Sequence, residues 1–258
     1  MNLLDKFIEH TRVNIDLGYY NVRSRVVGPT CSLVQMISSN KFIIISEIKH
    51  ASPAGEYSFD EMDVEESAMT FKKNGADAIS VVVEPTIFKG NIDDIPLAKK
   101  AGLPVLFKDF IIERKQIEAA RNVGADAILL IVKVAKKLNL NLDELIEIAH
   151  ENNLEVLLES YDKEEMEIAR STNADILGIN NRDLDTLKID IKRTKEILEG
   201  CGIIDRPVIS ESGIRTAEDV AFVKKAGASG VLVGTAIWKS DDIGKKIKEL
   251  RSGAGRYE

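Results

Sequence analysis

The chain is poor in the residues that build metal centres, disulfide frameworks and membrane spans. Of its 258 residues only two are cysteine, Cys31 and Cys201, far apart and without ligand spacing. Two reduced packing residues are expected there, not a cross-link or a thiolate site. The three histidines, His10, His50 and His150, are scattered among polar neighbours, so a zinc site or a serine triad has little to build on and no metal is expected. No apolar run approaches the ~20 residues of a membrane span. The opening MNLLDKFIEHTRVN mixes acids with bases and lacks the apolar core of a signal peptide. A soluble, cytoplasmic protein is therefore expected. The net charge of -7 argues against a nucleic-acid or anionic-membrane surface, so any anion must be held by a local pocket.

What the chain does have is apolar substance and rhythm. Apolar residues make up 44%, enough for a large core, and the length suits one α/β barrel of ~250 residues. Residues 2–16 read as a helix with Leu3, Leu4, Phe7, Ile8 and Ile15 on one face. Gly18 to Pro29 reads as irregular and basic, and Ser32 to Ile37 as a second short helix. Residues 1–40 are expected to form an extension packed on a single barrel domain spanning 1–258. From Phe42 a phrase recurs: Gly75-Ala76-Asp77-Ala78-Ile79, then Gly124-Ala125-Asp126-Ala127-Ile128 and Asn173-Ala174-Asp175-Ile176-Leu177, each 49 residues after the last. Gly227-Ala228-Ser229-Gly230-Val231 follows 54 residues later. Between copies fall Gly102-Leu103-Pro104, Asn153-Leu154-Glu155 and Arg206-Pro207-Val208, each a helix end, a link and a β-branched run. A period of about 25 residues per strand-plus-helix gives eight units. The strands are placed at 42–48, 78–83, 104–108, 127–132, 154–158, 175–180, 207–210 and 230–233, with helices such as 61–73 and 216–226 between them and a frayed tail at Ser252 to Gly255. Eight such units close as a TIM (β/α)8 barrel. An open doubly wound sheet would need a GxGxxG turn after its first strand, and Ala51-Ser52-Pro53 is not one.

The stretch Phe42 to Pro53, FIIISEIKHASP, starts as a strand buried on both faces and then turns polar. Glu47 and Lys49 point the same way, and such a pair at the end of a buried strand is costly unless paired or put to use. Barrel chemistry sits where strands end. Those positions hold Glu47, Lys49 and Ser52, then Glu84 and Phe88, then Lys108, Asp109 and Phe110. Ile131 and Lys133, Glu159, and Asn180-Asn181-Arg182 follow. Two glycine-containing turns, Glu211-Ser212-Gly213-Ile214-Arg215 and Gly234-Thr235-Ala236, fall after strands seven and eight, where barrels hold a phosphate. Lys108 and Glu159, an acid and a base on facing strands, suit proton transfer on a sugar phosphate. Phe88, Phe110, Ile131 and Leu184 are candidates for an apolar slot, though ordinary packing explains each equally well.

FIIISEIKHASP resembles the IAEIKRASPS signature of the indole-3-glycerol phosphate synthases. The likeness continues through Val83 to Gly90, Pro104 to Phe110, Asp126 to Val132, Leu157-Leu158-Glu159, Gly178 to Leu184, Ser210 to Ile214 and Val231 to Ala236. It covers nearly all of residues 40–240. The resemblance implies cofactor-free conversion of 1-(2-carboxyphenylamino)-1-deoxyribulose 5-phosphate to indole-3-glycerol phosphate, CO2 and water. It implies that Lys108 is the general acid at the ketone oxygen and that Glu159 takes part in proton transfer during dehydration. Lys49 would hold a substrate anion or serve as a second acid. Glu47 and Asn180 would orient lysines and hydroxyls, and Ser212 would assist at the mouth. Ser52, Glu211, Gly213, Gly234 and Thr235 would contact substrate on the phosphate side, with Arg182 reinforcing that wall. His50, where arginine is commoner, and the loop Ala54-Gly55-Glu56 depart from the family pattern. The expected partner is a small sugar phosphate, with no nucleic acid or membrane, and the protein is expected to be a monomer. The rival readings are a sugar-phosphate isomerase, a Schiff-base enzyme using Lys108 or Lys133, and a catalytically silent barrel.

Overall fold

The computed structural model describes residues 3–23, 30–40, 42–53, 55–59 and 62–255. Eight parallel strands close into a barrel in sequence order: β1 Ile43–Ile48, β2 Ala78–Val82, β3 Val105–Lys108, β4 Ala127–Ile131, β5 Glu155–Ser160, β6 Ile176–Asn180, β7 Val208–Glu211 and β8 Gly230–Val233. β1 pairs with both β2 and β8, so no edge is left open. Every strand lies within two residues of its expected bounds. The differences matter at β5 and β7, which extend to Ser160 and Glu211. Glu159 pairs opposite Gly178 and Glu211 opposite Leu232, so both carboxylates ride on ladder residues and not on loops.

The recurring phrase has a physical cause. Its glycine follows a helix in the left-handed region at Gly75, Gly124 and Gly227 (φ +102, +91 and +110), where a side chain would be strained. Its aspartate then accepts a backbone N–H from the first or second residue of the preceding strand. Asp77 takes Ile44 N at 2.7 Å, Asp126 takes Val105 N at 2.8 Å and Asp175 takes Val156 N at 2.7 Å. In the fourth copy Ser229 Oγ receives Val208 N at 3.2 Å. The phrase thus ties the starts of β1, β3, β5 and β7 to the unit that follows each, at the end of the barrel away from the candidate site.

Strand residues alternate between two cores. Ile44, Ile48, Ile79, Val81, Phe107 and Leu130 face the helical layer, while Ile45, Leu106, Leu157 and Ile209 fill the barrel axis. The N-terminal segment packs on both ends. Helix Leu3–Asp16 lies across the C-terminal mouth on the β2–β4 side, with Leu4, Phe7 and Ile8 buried and Asp5 paired to Lys137 at 2.5 Å. Helix Leu33–Ser39 plugs the opposite end with Leu33 and Ile37. Its N-terminal N–H groups are capped from a distance by Glu155, which accepts from Leu33 N at 2.7 Å and Val34 N at 3.1 Å. The basic stretch expected to be irregular falls partly on 24–29, outside the described residues, as does Ala54.

Three local expectations are corrected. The helix placed at 61–73 runs Val64–Lys73, because Asp63 caps it by accepting Glu66 N at 2.8 Å. Ser32, placed inside the second helix, is its cap and accepts from Gln35 N. The tail does not fray at Ser252: helix Ile243–Gly253 includes it, and Ala254 is buried with its carbonyl held by Lys224. Among the described residues no helix is long and apolar enough to cross a membrane.

Candidate active site

A cavity of about 580 Å³ opens at the C-terminal mouth, the end of the barrel where such folds carry their chemistry. Its floor is built from the inward positions next above the apolar axis. Two residues beyond Ile45, Leu106, Leu157 and Ile209 on the same four strands stand Glu47, Lys108, Glu159 and Glu211. Glu47, Lys108 and Glu211 form one connected set with Lys49, and Glu159 stands beside them. Lys108 Nζ lies 2.7 Å from Glu211 Oε2 and 3.6 Å from Glu47 Oε2, and Glu47 Oε1 receives Lys49 Nζ at 2.7 Å. Gly178 leaves room for Glu211: a methyl group there would stand 2.6 Å from Glu211 Oε1.

Burial and pairing set the charge state of this floor. Burial works to raise the Glu47 carboxyl, but Lys49 and Lys108 beside it hold it below the ordinary carboxylate value. Burial works to lower Lys108, yet Glu211 and then Glu47 raise it, so it is held firmly as the ammonium. Glu159 has the opposite fate. Burial and the neighbouring Glu211 push it up to about 8, against the weaker pull of Lys108 and a hydrogen bond from Asn180. Two ammoniums already balance two carboxylates in the ion pairs, and Glu159 is the third carboxyl, left to carry a proton at neutral pH.

The walls divide into an aromatic side and a glycine side. Phe110 and Phe88, both expected at the site, line the cavity with Ile131 and Leu184. Phe7 from the N-terminal helix packs against both, its ring 4.6 Å from Phe110 and 5.7 Å from Phe88, and the three rings form one cluster. In the sequence Phe7 is one residue of an apolar helix face, and nothing local marks it as a wall of the site. Glu84, also at a strand end, accepts Thr86 N, Ile87 N and Phe88 N and so shapes the turn that presents Phe88. Asp109 is pushed up to about 7 by burial, against a hydrogen bond from Tyr20 Oη at 2.6 Å. On the other side Arg182, Ser212, Gly213, Gly234 and Thr235 line the cavity with Asn180. Ser212 and Gly213 are both left-handed (φ +64 and +84).

Two expected contacts are not exposed at the cavity surface. Glu211 is fully buried beneath Lys108, because its place on the β7 ladder directs it to the ammonium. Ser52 turns to Glu56, donating to Oε2 at 2.9 Å. Lys133 is drawn away to Asp185 at 2.7 Å. Trp238 was not singled out from the sequence, yet its Nε1 donates to the Glu47 carbonyl at 2.7 Å. The β1–β8 pairing ends at Ser46 and Val233, so the indole supplies the donor that β8 no longer provides. Only a fold that brings residues 191 apart together makes that visible. Among the described residues no cluster of three or more His, Cys, Asp and Glu is arranged to hold a metal ion.

A closed barrel with paired acids and bases sunk into its C-terminal mouth defines a (β/α)8 enzyme of the acid–base kind. Comparison with known proteins makes this particular. The family model for indole-3-glycerol phosphate synthase matches residues 4–250. A relative of that name from Caldanaerobacter subterraneus subsp. tengcongensis is 42% identical over 220 residues, covering 84% of each chain. One from Bacillus mycoides is 38% identical over 253 residues, covering 96% of this chain and 98% of its own. The chain belongs to the indole-3-glycerol phosphate synthase family. Its reaction is that of a decarboxylating lyase of tryptophan biosynthesis, the formation of indole-3-glycerol phosphate. Solved structures share the fold alone. A 3-hexulose-6-phosphate synthase aligns with TM-score 0.63 at 18% identity, covering 83% of this chain and 99% of that one. A thiamine phosphate pyrophosphorylase from Pyrococcus furiosus aligns with TM-score 0.61 at 22% identity, covering 86% and 97%.

Proposed function

We propose that the charged floor divides the proton work of this reaction between Lys108 and Glu159. The substrate is 1-(2-carboxyphenylamino)-1-deoxyribulose 5-phosphate. Its aryl group lies on the aromatic wall of Phe7, Phe88 and Phe110, and its phosphate on the side of Ser212, Gly213, Gly234 and Thr235, with Arg182 adding positive charge. Lys108 gives a proton to the ketone oxygen as the ring carbon bearing the carboxylate bonds to the ketone carbon. Loss of CO2 returns the electron pair to the ring. The new hydroxyl then leaves as water, taking a proton from Glu159, and loss of a proton from the neighbouring carbon completes the indole. Glu47 orients both lysines, Lys49 holds a substrate anion or acts as a second acid, and Asn180 steadies Glu159.

The observation that carries this reading is the ion-paired chain Lys49–Glu47–Lys108–Glu211 with Glu159 alongside it in the same floor. Ion pairing keeps Lys108 as the ammonium, which favours a proton donor over a Schiff-base nucleophile. The test is a direct assay with that substrate and no added metal or nucleotide, in which indole absorbance should grow. Borohydride added during turnover should leave no adduct on Lys108, and a stable adduct would replace the acid role with covalent catalysis. The enzyme acts as a cytoplasmic monomer on a small sugar phosphate, a reading that rests on family and composition and is checked by fractionation and sedimentation.

A further inference from the structure

Behind the glycine side of the cavity, between β6, β7 and helix Lys192–Cys201, lies a polar cluster that the reaction does not use. Its centre is Asn181, which is completely buried together with Ser210 and Thr194. Asn181 Nδ2 donates to Ser210 Oγ at 3.0 Å, and Ser210 Oγ and Thr194 Oγ1 are 2.7 Å apart. Thr194 Oγ1 donates back to Asn181 Oδ1 at 2.8 Å. With Ser210 as the donor to Thr194, the three groups form a closed ring running in one direction, each bond polarising the next. The second proton of Asn181 Nδ2 goes to the Ser212 carbonyl at 3.0 Å, and Oδ1 also receives Thr194 N at 3.2 Å. Both donors and both acceptors of the amide are thus used.

The backbone of the same residue extends the hub. Its N–H donates to Glu211 O at 2.9 Å and its carbonyl receives Asp190 N at 2.9 Å. Aspartate would present no donors to the Ser212 carbonyl, and glutamine would overreach. What the ring holds is costly on its own, since Ser212 occupies the left-handed region that a side chain disfavours. Gly213 follows in the same region and is packed so closely that a methyl group would stand 2.6 Å from Ile189 Cγ2. Such strain persists only where surrounding contacts over-determine it, and the one side-chain hydrogen bond received by the Ser212 backbone among the described residues comes from Asn181.

We infer that Asn181 is a positioning residue, which through Thr194 and Ser210 fixes the left-handed turn at Ser212 and Gly213 and so shapes the substrate-holding side of the cavity. The inference rests on the reading of that turn as a substrate contact. The ion pairs of the charged floor do not involve the Asn181 amide, so its loss weakens binding and leaves turnover nearly intact.

The experiment is steady-state kinetics on Asn181→Ala and Thr194→Val, which add no charge and do not alter the cavity lining, beside Gly213→Ala. Asn181→Ala is expected to raise KM about tenfold while kcat stays within about threefold. Thr194→Val, which opens the ring but leaves the bond to Ser212, is expected to raise KM about threefold. A purely structural role would instead lower the melting temperature and the active fraction without moving KM. An unchanged KM in folded Asn181→Ala overturns the inference, and if that variant does not fold, an unchanged KM in Thr194→Val does so. Gly213→Ala separates the two possible failures. If it raises KM while the ring variants do not, the turn binds substrate and only the ring's role is lost. If none of the three raises KM, the reading of the turn as a substrate contact falls as well.

Discussion

Two successive levels of the barrel axis, built on the same four strands, have opposite characters. Ile45, Leu106, Leu157 and Ile209 are buried and apolar, joined only by packing. Two residues on, Glu47, Glu159 and Glu211 are buried and Lys108 is half-buried, and ion pairs join Lys108 to Glu47 and Glu211. The lower level contributes stability through area removed from water. The upper level spends some of it, because burying charges costs several kcal/mol per ion unless each is paired. The pairs at 2.7 Å recover much of that cost, while its own burial and the neighbouring Glu211 raise the proton affinity of Glu159. A barrel can afford reactive groups on its axis because one step below them is oil.

The comparison breaks most sharply at Lys108. Lys108→Ala should lower kcat by about 10²–10⁴ while the far-ultraviolet circular dichroism stays that of the parent; near-parent turnover would pass the acid role to Lys49. Glu159→Gln keeps size and removes the proton, and should slow turnover about 10²-fold with a much smaller change in KM. Its pH behaviour sharpens the point. The Glu159 carboxyl ordinarily titrates near 4.5 and is raised to about 8 in the fold. Its contribution to stability is therefore full below about 4.5 and is lost as pH rises through about 8. Over that window the parent should lose stability relative to Glu159→Gln, as denaturant titrations at several pH values would show. In the parent kcat/KM should fall as pH passes about 8, and in the variant that limb should vanish.

The lower level should respond in the other currency. Leu157→Ala should cost about 2–5 kcal/mol of stability, read by urea titration, while kcat per folded molecule stays at the parent value. If that truncation slowed turnover as much as Glu159→Gln, the two levels would not be separable. The smallest effect is expected at Trp238→Phe, which keeps the ring but removes the donor to the Glu47 carbonyl. A loss of one neutral hydrogen bond of about 1 kcal/mol should lower kcat a few-fold, and an unchanged kcat would mean the strand end holds Glu47 without help.

Much of this architecture was legible in the chain because it is periodic. The Gly-Ala-Asp phrase repeats, and each copy performs the same task at the same barrel end, so local spacing and global topology carry one signal. The apolar runs found β1 to β8 since a strand buried on both faces must be apolar throughout. Most of the expected site residues come together in the cavity for a related reason: in a barrel, strand ends share one mouth whatever their separation in sequence. Glu211 and Ser52 were placed by the same rule and take the partners Lys108 and Glu56, since a strand end fixes where a side chain starts and not which partner it takes.

By itself, then, the order of residues determined the number of units, their order round the barrel and the set of groups gathered at one end. Tertiary structure alone decided which lysine meets which carboxylate, that Phe7 reaches over from the N-terminal helix to the aromatic wall, that Trp238 completes the hydrogen bonding of β1, and that Glu159 keeps its proton. The reason is physical. Periodicity is a property of neighbours along a chain, whereas pairing, strain and proton affinity depend on distances and burial that exist only after the barrel has closed.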